Sequence, residues 1–499
     1  LLRLAHFLEQ RGMREEFQAA FLKPLADLAA AEEERFIKLM SMLLSAGIAA
    51  EFTMPALIAW AGENEGRWDS IVTAVFGIDD HSAQIWSWLG ELDPKATQAE
   101  RFEGMQILRG IGRDPQRLGA KWSALAWQTI EKTPKEDRAK LVELMAILSW
   151  RGSAAPDSLG SSDVVQSLKI WDQLSEDSRQ KFPVLAFIRI KDLSAVGRWD
   201  EAAAYFQGQI ENTKQNPNPA LYAYAAACLR RAGRVKEAIS HDLWADKLAL
   251  GKDAAEIAAA YAYADDYEKA AEWCARAARH ADPNAGDFID TLQRYLEVLK
   301  KQEKWQQVAS VAEVLANSCL TIGAAQPPLI LLKFRFESDF GNALAMLQHD
   351  RPASIAMLEK CYKMYPSDGS LADDFFPTLR KVGLLKEHDE WFDQSWARMV
   401  AVCEKFPDSD NTLNTTAWLA SRAQRNLDEA EKLETRALQL NPDQATYLDT
   451  MAEIHFAKGN RAKAIEFSDR AINFLPADPI LRRQNQRFRK DSLPKGKAG

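Results

Sequence analysis

Two consecutive segments of 34 residues decide the fold: NTLNTTAWLASRAQRNLDEAEKLETRALQLNPDQ (411–444) and ATYLDTMAEIHFAKGNRAKAIEFSDRAINFLPAD (445–478). Each carries two small residues seven positions apart and, five positions later, a proline. The residues that recur are Ala430 and Ala464, Ala437 and Ala471, and Pro442 and Pro476. Seven residues make about two helical turns, so both alanines lie on one face and allow another helix to approach closely. The proline ends that helix, because it cannot continue the hydrogen-bonded ladder.

The same spacing of small residues recurs upstream. The further pairs are Ala238 and Ala245, Ala270 and Ala277, and, more loosely, Ser354 and Cys361. In addition, the phrase GRWDEA at 197–202 has a near-copy, GRWDSI at 66–71, which lies 131 residues earlier in the chain. We interpret Trp199 and Trp68 as apolar anchors in the first turn of second helices, each followed by an acidic residue that the helix dipole favours. The sequence therefore predicts a chain of helix pairs.

This pattern resembles the tetratricopeptide repeat (TPR), whose 34-residue unit consists of a helix, a short turn, a second helix and a closing proline. Within 251–284, the residues in the family's places are Ala258, Tyr261, Tyr267, Ala270 and Ala277. The resemblance extends over residues 165–480, and its last two units are similar to those of bacterial repeat proteins. It implies an all-α fold, a right-handed α-solenoid of antiparallel helix pairs in a TPR-like superhelix.

Loop signals divide this chain of repeats. The predicted order is a degenerate TPR-like block at 1–150, a loop or hinge at 151–163, repeats at 164–316, an irregular Pro-containing connection at 317–340, repeats at 341–480, and a capping helix with a basic disordered tail at 481–499. The hinge is rich in Ser, Gly and Pro. The connection contains Pro327-Pro328, which we expect to break any helix. A separate helical domain is the alternative for the N-terminal block.

Composition and charge limit the functional classes. The chain of 499 residues has a formal net charge of -8 and a pI near 5.6. This balance disfavours a nucleic-acid partner, because phosphate neutralisation needs a basic surface. The longest apolar stretches, such as PPLILLKF at 327–334, are too short to span a bilayer, so we expect a soluble protein without membrane insertion.

The five cysteines lie 42 to 46 residues apart, inside helical patterns. We predict that Cys228, Cys274, Cys319, Cys361 and Cys403 are small core residues, because free cysteine is among the most buried residue types. An odd, unclustered set of cysteines favours the cytoplasm. A periplasmic or secreted protein is the alternative, since the chain begins at Leu1 rather than at a methionine and an N-terminal segment is expected to be missing.

Catalytic patterns are not found in the sequence. The seven histidines are scattered, and HExxH, GxGxxG, GxxxxGK[ST] and GxSxG do not occur, so we predict neither a metal nor a cofactor. The adjacent carboxylates are Asp79-Asp80, Asp265-Asp266 and Asp373-Asp374. We interpret them as helix caps rather than as an acid-base pair. The sequence therefore predicts a protein that is not an enzyme.

The resemblance implies a concave groove lined by the first helices of successive units. The residues that the family's register places in this groove are Tyr224, Arg230, Arg231, Glu256, Tyr263, Arg294, Glu297, Lys300, Lys301, Arg422, Asp449 and Glu453. Tyrosine and arginine are enriched at binding hot spots. We therefore expect a protein or peptide partner, with 219–301 as the main binding region.

The predicted function is a non-enzymatic TPR-like scaffold for protein–protein or protein–peptide interaction. One alternative is a helical-toroid enzyme acting on carbohydrate. Another is the regulatory repeat region of a larger enzyme whose catalytic domain is missing from this chain. A third hypothesis, RNA binding by helical repeats, conflicts with the acidic pI. The sequence identifies neither the partner nor the oligomeric state.

Overall fold

The computed structural model describes residues 2–22, 32–45, 57–63, 66–76, 86–87, 89–109, 131–134, 193–194, 196–282, 286–321, 328–474 and 478–492, with a few isolated positions. Every regular element in these residues is a helix, and most of them are joined as hairpins. The predicted all-α architecture of helix pairs is therefore confirmed for the described residues. The chain forms two compact units. The first combines residues 1–195 with 367–499, and the second comprises 196–366.

In the N-terminal part of the first unit, the described residues give the bounds of five α-helices. They are α1 (Leu2–Gln10), α2 (Arg14–Phe17), which continues as a π-helical turn (Gln18–Leu22), α3 (Glu33–Ser45), α4 (Arg67–Phe76) and α5 (Gln98–Arg109). Trp68 lies at the start of α4, as predicted, and packs edge-on against Phe102 with ring centroids 5.8 Å apart. The repeat register predicted for this block is not tested by the described segments. The predicted hinge at 151–163 lies outside the described residues.

The turn between α1 and α2 packs against the C-terminal part of the same unit. The Phe7 and Phe406 rings meet edge-on at 6.3 Å, and Arg11 donates to the Thr412 hydroxyl at 3.0 Å. Gly12 has φ 62, and a Cβ there would lie 2.2 Å from the Asp408 carbonyl oxygen. Only glycine tolerates both this backbone conformation and this close approach.

The second unit contains nine described helices. They are α6 (Trp199–Asn212), α7 (Pro219–Arg231), α8 (Val235–Leu248), α9 (Ala254–Tyr263), α10 (Tyr267–His280), α11 (Gly286–Lys301), α12 (Trp305–Thr321), α13 (Pro328–Met346) and α14 (Arg351–Met364). Gly233 turns the chain between α7 and α8 with φ 82, and Asp265 does so between α9 and α10 with φ 58. Trp199 begins α6, which confirms its predicted place in the first turn of a helix.

The predicted irregular connection at 317–340 is wrong for the described residues. Helix α12 continues to Thr321, and α13 begins at Pro328. A proline in the first turn does not interrupt a helix, because the N–H that proline lacks would have had no intrahelical partner at this position. Gly341 lets the two helices approach closely, because a Cβ at this position would lie 2.8 Å from the Trp305 carbonyl oxygen. The segment is thus mainly helical packing surface, and only 322–327 lie outside the description.

The C-terminal part of the first unit continues the hairpins. After a 3-10 turn (Gly369–Ala372) come α15 (Phe375–Lys381), α16 (Leu385–Lys405), α17 (Asp410–Ala423), α18 (Leu427–Leu440), α19 (Ala445–Ala457), α20 (Arg461–Phe474) and α21 (Pro479–Lys490). The pair α17 and α18 repeats as α19 and α20 at the spacing expected from the two 34-residue segments.

Small residues occupy the helix contacts, as predicted. Ala430, Ala437, Ala464 and Ala471 have 0% exposed surface. All five cysteines are free and buried, and burial raises the pKa of Cys228 and of Cys361 to about 12. These thiols are therefore core residues that stay protonated. No described helix combines the length and the apolar character that crossing a bilayer requires.

The capping prediction for adjacent aspartates is confirmed at one position. Asp266 precedes α10, and its side chain accepts from the Lys269 backbone N–H at 3.3 Å. Asp374 precedes α15 without a side-chain capping bond. Asp79-Asp80 lie outside the described residues.

Substitution of the buried alanines tests the helix contact. Ala437→Leu or Ala471→Leu adds bulk where no free space remains, and each should lower the free energy of unfolding by about 1–3 kcal/mol. Thr435→Leu is the matched control, because this exposed side chain lies on the same helix as Ala437, and it should change stability by less than about 0.5 kcal/mol. Urea unfolding followed by circular dichroism measures all three. Equal stability of the alanine variants and the control would contradict the helix contact.

Candidate binding surfaces

Aromatic side chains from three helices of the second unit come together. Tyr224 on α7 and Tyr263 at the end of α9 meet edge-on, with ring centroids 5.8 Å apart. Trp199 on α6 meets Tyr263 at 6.0 Å, and Phe206 stacks on Tyr224 at 4.8 Å. Burial raises the pKa of the Tyr224 hydroxyl. The structure therefore joins two of the predicted groove residues, and it adds Trp199, which the sequence had suggested only as a packing anchor.

Two predicted arginines remain exposed beside this cluster. The Arg231 guanidinium lies 5.0 Å from the centre of the Trp199 ring and pairs loosely with Asp265 at 3.8 Å. Arg294 on α11 donates to the Ala255 backbone carbonyl oxygen at 3.0 Å. Most of the hydrogen-bonding capacity of both guanidinium groups therefore faces solvent.

Three further predicted residues are exposed on the same helices. Glu256 lies on α9, and Glu297 and Lys301 lie on α11. Glu297 is 3.9 Å from the Lys300 ammonium, whereas Glu256 and Lys301 form no ion pair among the described residues. The surface carried by α7, α9 and α11 thus presents charges of both signs around an aromatic centre.

Arg230, although adjacent to Arg231, has a different role. Its guanidinium bridges Asp242 on α8 and Asp266 before α10, the latter at 2.5 Å. The Tyr261 hydroxyl also donates to Asp242 at 2.7 Å. This partly buried network joins successive hairpins, so Arg230 stabilises the fold rather than offering a free group. The family register had placed Arg230 in the groove. The sequence did contain a signal against this, because Asp242 lies between two alanines of the buried side of its helix, and an acid in that place needs a cation as its partner.

Lys300 is likewise used inside the unit. Its ammonium group lies 2.9 Å from a Glu337 carboxylate oxygen, and both side chains are largely buried. This ion pair ties α11 to α13. Lys300 therefore belongs with Arg230 as a residue that holds neighbouring hairpins together.

The three predicted residues of the C-terminal repeats are brought together but covered. Glu453 on α19 accepts from Arg422 on α17 at 3.4 Å and also from Arg487 on α21. Asp449 accepts from Gln484 of α21 at 2.9 Å. The final helix thus occupies this part of the predicted groove. Sequence reasoning missed Gln484 and Arg487, although they lie 35 and 34 residues after the acids that they contact.

Two buried acids in this region hold their protons more tightly than usual. Burial raises the pKa of Asp449 to about 7, with the neighbouring Glu453 charge as a second cause. Burial also raises the pKa of Glu434 on α18 well above its usual range. Neither carboxylate oxygen of Glu434 has a hydrogen-bond partner in the described structure. A neutral carboxyl group is the form that such surroundings tolerate.

No group of three or more His, Cys, Asp or Glu side chains that could hold a metal ion occurs in the described part of the chain. No family model matches the chain, and no curated protein matches it.

Solved structures of helical proteins are similar to it. Yeast Tom70 is 14% identical, with 96% of this chain and 98% of that chain covered and a TM-score of 0.29. The Naa15/Naa10 structure bound to HypK-THB is 12% identical, with 87% of this chain and 66% of that chain covered and a TM-score of 0.24. The human IFIT1 dimer with PPP-AAAA is 12% identical, with coverages of 88% and 95% and a TM-score of 0.28. With such scores these likenesses say nothing about what this chain binds, and the bacterial type stays a prediction.

The different roles of two adjacent arginines can be tested by stability. Arg230→Met leaves Asp242 and Asp266 without their shared cation and should lower the free energy of unfolding by about 2–4 kcal/mol. Arg231→Met removes only an exposed, loosely paired cation and should change it by less than about 1 kcal/mol. Urea unfolding of both variants measures the difference. Similar losses in both would show that the Arg230 network does not hold the hairpins together.

Asp449 makes the C-terminal repeats sensitive to pH. The pKa of Asp449 in the folded state, about 7, lies above its ordinary value, so the folded protein binds this proton more tightly than the unfolded chain does. Proton binding at Asp449 therefore stabilises the folded state at low pH, and this contribution is lost as the pH rises from about 4 to about 7. An asparagine amide cannot ionise, so Asp449→Asn should exceed the wild type in stability by up to about 4 kcal/mol at pH 8, with little difference near pH 4. Urea unfolding at the two pH values measures this gap. The same stability difference between Asp449→Asn and the wild type at both pH values would contradict the raised pKa of Asp449.

Proposed function

We propose that the chain is a non-enzymatic scaffold whose second unit binds a segment of a protein partner. The binding surface is the groove patch, defined as Tyr224, Arg231, Tyr263 and Arg294. The observation that carries this proposal is the pair of exposed guanidinium groups beside the aromatic cluster. Arginine, tyrosine and tryptophan are the side chains that most often dominate binding energy at protein interfaces.

The chemistry of the patch favours a partner segment with carboxylate groups. Arg231 is held by Asp265 only at 3.8 Å, so a carboxylate of the partner can replace this contact at little cost and form a bidentate pair. The aromatic rings offer apolar surface for a neighbouring side chain. A nucleic-acid backbone fits less well, because Glu256 and Glu297 are exposed on the same helices and repel phosphate groups.

The structure also determines which residues can be substituted without unfolding the protein. Arg230 and Lys300 hold hairpins together through ion pairs with Asp266 and Glu337. Substitution of either residue would change the stability of the fold, so a loss of binding could not be assigned to the binding surface alone. Arg231 and Arg294 are exposed and make weaker contacts, a 3.8 Å pair with Asp265 and one hydrogen bond to the Ala255 carbonyl oxygen. The matched control is Arg279 with Lys304, two exposed cations of the same unit that lie outside the groove patch.

A random linear-peptide phage library tests the proposal. Peptides selected on the wild type should be enriched in Asp and Glu. Arg231→Glu with Arg294→Glu should weaken the binding of synthetic copies at least about tenfold, which corresponds to about 1.4 kcal/mol. Arg279→Glu with Lys304→Glu changes the net charge equally and should leave the affinity within about twofold. Fluorescence anisotropy gives the affinities, and circular dichroism confirms that all variants are folded.

Two results would overturn the proposal. One is a set of selected peptides that bind the groove variant and the wild type equally. The other is binding of a labelled single-stranded RNA homopolymer to the wild type at low salt, with loss of that binding in the groove variant.

A further inference from the structure

Helix α8 carries apolar side chains on its outer surface. Val235, Ile239, Leu243 and Trp244 are 50%, 51%, 67% and 46% exposed. These four residues are called the α8 face below. The buried residues of this 14-residue helix are only Ala238 and Ala245. Val235, Ile239 and Leu243 follow one another at intervals of four residues and so form a row along one side of the helix. Single exposed apolar residues are ordinary, whereas several on one helix are typical of an interaction site.

The other repeats of the chain show that the inner contacts of a hairpin do not require Leu243 or Trp244. The buried alanine pairs of α8, α10, α18 and α20 align the four helices residue by residue. The residues equivalent to Leu243 are Ala275, Thr435 and Asp469, and those equivalent to Trp244 are Arg276, Arg436 and Arg470. Three helices with the same inner contacts therefore have small or polar residues where α8 has Leu and Trp.

The free charges beside the α8 face are positive. Lys236 and Lys247 are exposed and lie 11 residues apart, which is about three helical turns, so both project from the same side of α8. Neither forms an ion pair among the described residues, and the Lys247 ammonium group lies 4.9 Å from the centre of the Trp244 ring. Two cations thus flank the apolar residues without a protein counter-charge.

The acids of α8 are already paired. Glu237 lies 2.6 Å from Arg234, and Asp246 lies 2.5 Å from Arg276. Asp242 is engaged by Arg230 in the network described above. The local surface therefore combines apolar area with uncompensated positive charge.

We propose that the α8 face binds an amphipathic α-helix of a partner protein, whose apolar stripe is flanked by carboxylates about three turns apart. A partner helix of this kind covers the aliphatic row and brings acidic groups to Lys236 and Lys247. The α8 face lies on the second helix of its hairpin, whereas the residues of the groove patch lie on the first helices α7, α9 and α11. The proposal is therefore independent of the groove.

Two other occupants fit less well. A second copy of the chain would bring the same two lysines to the interface, and like charges there are repulsive. An anionic membrane gains about 1 kcal/mol per basic residue near its surface. Here only two free lysines accompany the acids Glu237 and Asp246 on one helix, which is a small gain for a lipid surface.

Two synthetic peptides test the α8 face. Both are Ala-rich helices of about 18 residues with Leu at i, i+4, i+7 and i+11. One carries Glu beside the Leu stripe at two positions three turns apart, and the other carries Lys there. Fluorescence anisotropy at low salt should show the Glu peptide binding at least about tenfold more tightly than the Lys peptide. Lys236→Glu with Lys247→Glu should reverse this preference.

The apolar contribution is tested with a matched control. Ile239→Ser with Leu243→Ser should weaken the Glu peptide at least about tenfold. Leu385→Ser removes a comparably exposed leucine, 55% accessible at the start of α16, and should leave binding unchanged. The groove variant Arg231→Glu with Arg294→Glu should bind the Glu peptide like the wild type, so failure of one proposal is distinguishable from failure of the other.

Several results would overturn the α8 proposal. They are the absence of binding by either peptide, an equal affinity for both, a preference that the lysine substitutions do not change, or tight binding to phosphatidylserine vesicles without peptide binding. Sedimentation that shows a dimer dissociated by Leu243→Ser would assign the face to a second copy instead.

Discussion

The close contact of small side chains on neighbouring helices is the constraint on which the rest of the structure depends. Ala430, Ala437, Ala464 and Ala471 have no exposed surface, so any larger side chain there would push the helices apart. A helix hairpin cannot bury its apolar side alone, and each one is completed by its neighbours. The surfaces left for binding are those that this packing does not use, and they differ between repeats even where the inner contacts are the same.

Several charged residues also take part in the contacts between neighbouring hairpins. Arg230, Lys300 and Arg422 each reach an acid on another helix, in the pairs with Asp266, Glu337 and Glu453. A charge held in this way stabilises the contact between hairpins and is no longer available to a partner. Arg231 and Arg294 make only weak contacts with their own chain, and this difference is the reason for proposing them as binding residues.

The sequence predicted what local periodicity controls. The spacing of the alanines and the position of Trp199 in the first turn of its helix both follow from helical periodicity. It failed at Pro328, because whether a proline breaks or begins a helix depends on where the neighbouring helix packs, and Gly341 allows that packing. For the candidate sites, the register indicated the first helices of the hairpins, and the groove patch is proposed on three of them. The register did not separate Arg230 from Arg231, because it takes no account of the acids that decide their roles, Asp242, Asp265 and Asp266, which lie 12 to 36 residues away.

Both proposed surfaces include residues of the hairpin formed by α7 and α8, and the groove patch extends from it to α9 and α11. Arg231 ends α7 and Lys236 lies in the first turn of α8, only five residues further along the chain. Between them, Arg230 and Asp242 fix the two helices to each other and to α10. A partner at either surface therefore meets side chains on a preorganised backbone and loses little affinity to ordering.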